Sequence, residues 1–73
     1  MNRHEANWLV YGMVEMLEKE RRENGRTARD VAREIGVNEK TLREMENGVR
    51  EPNAGNLLAY AYTMGYEIVM RKK

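Results

Sequence analysis

Two short helix-forming stretches separated by only Gly36-Val37 constrain this chain more than any other feature. The first covers residues 27–35 and is capped by Thr27; the second covers residues 38–47 and is capped by Asn38. Hydroxyl and amide side chains at such positions accept from an otherwise unpaired amide two or three residues on. A two-residue connection is too tight to return the second helix antiparallel to the first, so the helices must cross at a steep angle. The crossing needs a small residue where the helices touch, and Ala32 supplies it. It needs a turn residue that tolerates positive φ, which Gly36 provides. It needs apolar flanks, and Val31, Ile35, Val37, Leu42 and Met45 fill those positions.

The rest of the chain is predicted around this unit. Residues 5–23 form a first helix whose apolar face is Leu9, Met13, Met16 and Leu17. The Trp8-Leu9-Val10-Tyr11 run is strand-like in composition, but the helical period continues through it. Glu15–Lys19 and Glu18–Arg22 stand four apart in the favourable order, and Asn24-Gly25 ends the helix. After Pro52, Asn53 caps a fourth helix over 54–64, with Leu57, Leu58, Tyr60, Ala61 and Met64 as its apolar set. Residues 66–71 are β-rich and follow Gly65, so they predict a short strand with Tyr66, Ile68 and Met70 on one face. No convincing second strand exists in the chain, so the expected pairing partner is the same strand of a second copy. The expectation is one domain over 1–73, with the crossing helices at 27–47 and a strand and basic tail at 66–73.

Composition narrows the function. With 73 residues the chain makes one small domain, and it contains no Ser and no Cys, which excludes a serine or cysteine nucleophile and a disulfide framework. Its single histidine, His4, stands beside a start expected to be disordered, and no spacing of carboxylates with it suggests a metal site. The expectation is a non-enzyme with no cofactor and no metal. A net charge of +1 excludes bulk electropositivity but leaves room for a local basic face. No run of about 18 apolar residues and no leader pattern is present, so a cytoplasmic setting is expected. Trp8, Tyr11, Tyr60, Tyr62 and Tyr66, interleaved with helix-core positions, are expected in core or dimer packing rather than stacked on bases.

The crossing is that of a helix-turn-helix, and its residues resemble the Cro and phage-repressor family of such proteins. The matching residues are Arg21 to Thr27, Val31-Ala32, Gly36-Val37-Asn38, Thr41-Leu42, Glu46-Asn47-Gly48, Arg50, Pro52-Asn53 and Leu57, within roughly residues 13–65. The Glu-Asn-Gly-x-Arg-x-Pro element after the third helix is the most specific part. The resemblance implies an all-α, four-helix, lambda-repressor-like domain, here with a short C-terminal β-strand paired across a dimer. It implies a DNA-binding repressor acting on a pseudo-palindromic operator as a homodimer. The third helix would enter the major groove, with Glu39, Lys40, Thr41, Arg43 and Glu44 reading bases. Arg29, Asn47 and Arg50 would bind phosphates, and Arg21 with Glu46 would form an internal ion pair. Unlike many relatives the chain has no glutamine; Ala28 stands at one such position, Arg26 replaces a usual apolar residue, and the third helix is rich in Glu. The Met and Tyr content, low net charge and strand-forming tail keep a second reading open. This is an antitoxin-like or adaptor protein whose main surface binds a toxin-like partner protein.

Overall fold

The computed structural model describes residues 1–73 and contains four helices: α1 (Arg3–Glu23), α2 (Ala28–Ile35), α3 (Glu39–Glu46) and α4 (Ala54–Thr63). Each starts on a side-chain oxygen that accepts from the amide three residues on. Asn2, Thr27, Asn38 and Asn53 do so at 2.9, 3.0, 2.7 and 2.8 Å. Each also ends alike: the amides of Arg26, Val37, Val49 and Tyr66 donate to the carbonyls of Arg21, Ala32, Glu44 and Ala61 at 3.0, 2.9, 2.9 and 2.9 Å. This bond satisfies carbonyls that a helix end would otherwise leave unpaired. At Gly36, φ is +83°, so the chain leaves α2 through the left-handed region and enters α3 within two residues.

The core lies where α2 meets α3 and α4. Leu17, Ala28, Val31, Ala32, Leu42, Met45, Tyr60, Ala61 and Met64 are buried in one cluster, with Ile35, Val37 and Leu57 packed against it. The small side chain of Ala32, 1% exposed, lets the helices approach.

Three sequence expectations are corrected. The buried residues of α1 are Val14, Leu17 and Arg21, whereas Leu9 and Met16 are exposed. Apolar residues run almost all the way round the first half of this helix, so spacing alone left its rotation open. The helix also starts earlier than expected: Asn2 caps it, and His4 lies in its first turn, accepting from Trp8 Nε1 at 3.3 Å. Finally, residues 66–73 contain no strand, and Tyr66, Ile68 and Met70 lie in irregular chain. A strand needs a ladder partner, and this chain supplies none. Tyr66 instead turns its hydroxyl towards Glu20 Oε2, at 3.3 Å. The Glu20 carboxylate raises the Tyr66 pKa above its ordinary value.

Candidate nucleic-acid interface

Helix α3 is held by one face and free on the other. Leu42, Met45 and the side chain of Glu46 are buried, and the flanking Glu39, Thr41 and Glu44 are half-buried. Lys40, Arg43 and Asn47 form the exposed stripe opposite the core. Of the residues expected to read bases, Lys40 and Arg43 therefore face outward. Glu39 and Glu44 lie beside them, and Thr41 lies on the far flank, next to the core.

The basic groups differ in how they are engaged. Arg43 Nε donates to Glu39 Oε2 at 2.9 Å, one turn earlier on the same helix. Arg50 Nη2 pairs with Glu44 Oε1 at 3.2 Å. Lys40 and Arg29 are exposed and belong to no ion pair, and neither does Arg33, one turn after Arg29 on α2. Arg33 was not singled out in the sequence; only its exposure, a tertiary property, marks it.

The loop after α3 is held by its own backbone. The amides of Asn47, Gly48, Val49 and Arg50 donate to the carbonyls of Arg43, Met45, Glu44 and Glu44 at 2.9, 3.3, 2.9 and 3.2 Å. Asn47 and Arg50 are thus carried on a defined turn. Asn7 Nδ2 on α1 donates to Glu51 Oε1 at 3.1 Å and supports the loop from the other side.

A buried network anchors this end of α3. Arg21, 6% exposed, donates through Nε to Glu46 Oε2 and through Nη2 to Glu46 Oε1, both at 2.9 Å. Its Nη1 donates to the Arg26 carbonyl at 2.9 Å. Tyr60 on α4 donates its hydroxyl to Glu46 Oε2 at 2.6 Å. No buried side-chain polar atom is left without a partner. The hydrogen bonds that Arg21 donates to Glu46 raise the Arg21 pKa despite the opposing effect of burial. Burial raises the Tyr60 pKa, and its bond to the Glu46 carboxylate adds to the shift. Tyr60 is a third member that the sequence did not reveal as such. Arg26, on the linker, pairs with Glu34, and its Nη1 reaches the Thr63 carbonyl at 3.5 Å. In the apolar residue's usual position it ties α2 to the end of α4.

No group of three His, Cys, Asp or Glu side chains is gathered closely enough to hold a metal ion, and no helix is long and apolar enough to cross a membrane. The arrangement offers one projecting helix with donors along its free side, seated on a braced scaffold. A helix-turn-helix family model matches residues 17–69, more than half of the 73-residue chain. The chain belongs to the Cro/C1-type helix-turn-helix family. This helix-turn-helix protein is accordingly a DNA-binding transcription regulator. The match begins at Leu17, so the first part of α1, with exposed Trp8, Leu9 and Met16, precedes it. No curated protein and no solved structure matches this helix-turn-helix protein.

Proposed function

We propose that this chain is a sequence-specific repressor that binds a pseudo-palindromic operator as a homodimer in the cytoplasm, without catalysis. The observation that carries the reading is the stripe Lys40, Arg43 and Asn47 on α3, exposed along its length while the opposite face is locked in the core. α3 enters the major groove, where base edges carry a distinct donor and acceptor pattern for each pair. Glu39, Lys40, Arg43 and Glu44 are the base-reading set, Thr41 standing apart on the flank beside the core, and Arg29, Asn47 and Arg50 bind phosphates. Phosphate contacts fix register, and base contacts supply sequence preference.

The dimer is read from a groove beside α4. Leu58, Tyr62, Tyr66, Ile68 and Val69 border a shallow groove of about 450 Å³ beside α4, and Tyr62 is 79% exposed. Beyond Tyr66, whose amide is taken by the Ala61 carbonyl, the irregular segment has backbone groups free to pair. A second copy related by a two-fold axis covers the groove and pairs the two segments, setting the recognition helices about one DNA turn apart.

A salt titration of binding to a selected operator tests the reading. With about six phosphate contacts per dimer, affinity falls about a thousandfold between 50 and 200 mM salt. Lys40→Ala flattens the difference between cognate and scrambled duplexes, whereas Arg50→Ala weakens both alike. A second reading, the antitoxin-like or adaptor protein, is favoured by exposed Trp8, Leu9 and Met16 on α1, at 67%, 55% and 47%. A flat salt response supports that alternative.

A further inference from the structure

We infer that Glu39 and Arg43 act as one specificity-determining unit that reads a guanine and a neighbouring cytosine; this rests on the DNA-binding reading above. Arg43 is bound to Glu39 through Nε alone, at 2.9 Å. Neither of its terminal nitrogens makes a hydrogen bond within the chain, so the end of the guanidinium remains free to donate. Glu39 likewise uses only Oε2, leaving Oε1 without a hydrogen-bond donor. The side chains are 59% and 40% exposed, so the free atoms are accessible.

Stability is a weak account of this pair. An exposed pair of this spacing adds little to the stability of a helix. A carboxylate on a surface that meets a polyanion is repelled unless it finds a donor there. The major groove offers a carboxylate two amino donors, adenine N6 and cytosine N4. Adenine sets the N7 acceptor beside its donor, which repels a carboxylate, so cytosine N4 fits better. The matching site for a guanidinium is O6 with N7 of guanine. The two free halves of the pair fit these two edges. Residues four apart on a helix are neighbours, about 5–6 Å between Cβ atoms, within reach of adjacent base pairs.

The anchor also limits wrong contacts. A free arginine binds any phosphate. One neutralised and oriented by Glu39 is weakened against the backbone and kept for a base edge, which is discrimination by penalising alternatives. Lys40, unpaired on the same stripe, has no such restraint.

Selection of bound sequences from random duplexes, run on the wild type, Arg43→Ala, Glu39→Ala and Glu39→Gln, tests the unit. The wild type is expected to enrich a guanine column beside a cytosine column. Arg43→Ala should lower the guanine preference about tenfold or more. Glu39→Ala should erase the cytosine preference and blunt the guanine preference together, while its salt slope on scrambled DNA steepens by about one as Arg43 gains a phosphate. Glu39→Gln, which keeps an acceptor for Arg43 Nε, should retain the guanine column. An intact guanine column and unchanged salt slope in Glu39→Ala overturn the inference while leaving DNA binding in place. A wild-type chain that enriches no sequence overturns the sequence-specific reading itself.

Discussion

Glu46 receives three donors on its two oxygens, from Arg21 Nε, Arg21 Nη2 and Tyr60 Oη. Removing it leaves a guanidinium buried without its counter-ion. Glu46→Ala should cost about 3–5 kcal/mol, a large share of the stability of a small domain, measured by urea unfolding followed by circular dichroism. Tyr60→Phe leaves the ion pair and should cost about 1–3 kcal/mol. The same pair of proteins predicts a pH dependence. The folded pKa of Tyr60 is raised, so above the ordinary tyrosine value of about 10 the unfolded chain releases its proton first. The contribution is therefore fully present below about pH 10 and is lost as pH rises beyond it. The stability gap between the wild type and Tyr60→Phe should be constant from pH 6 to 9 and shrink above 10; a gap that widens there refutes this account. Arg21 and Glu46 were legible as partners through the family resemblance. Tyr60 was not, because no local pattern announces a hydroxyl that reaches across from another helix.

At the scale of elements, one substitution should have opposite signs at two glycines. Nothing lies within 4 Å of a Cβ built on Gly36 or on Gly12. At Gly36 φ is +83°, so Gly36→Ala should cost about 1–2 kcal/mol through the backbone alone. Gly12 sits inside α1 with ordinary helical φ, so Gly12→Ala should stabilise by about 0.5–1 kcal/mol. Thermal melts of both variants check the pair. The helix limits themselves were legible because Thr27, Asn38 and Asn53 are local signals, each satisfied by an amide three residues away. The buried face of α1 was not, because Leu9, Met13 and Met16 form as good a stripe as Val14 and Leu17. The contacts of Arg21 with α3 choose between them.

At the scale of the whole molecule, residues 66–73 are irregular chain without a partner of their own. The alternation of Tyr66, Ile68 and Met70 predicts a strand, yet the single chain holds none. Backbone pairing is a property of two segments, and only one is present. Deleting residues 67–73 keeps the Tyr66 amide that closes α4 on the Ala61 carbonyl. The truncated chain should retain its helicity but sediment as a monomer and lose most operator affinity. Sedimentation equilibrium decides the point: a dimer as tight as that of the full chain moves the interface to another face, such as the exposed part of α1.

Sequence alone determined the limits of the helices apart from the start of α1, the steep crossing at Gly36-Val37 and the family, because caps, turn residues and apolar spacing act within a few residues. It also carried Arg21 and Glu46, through a motif rather than through distance. Tertiary structure decided which side of α1 faces inward, that Tyr60 completes the Glu46 network, and that Arg43 and Arg50 are engaged by carboxylates while Lys40 and Arg29 are free. These are matters of burial and of side-chain reach between segments distant in sequence or competing on one surface. Local patterns limit such arrangements, and packing selects among them.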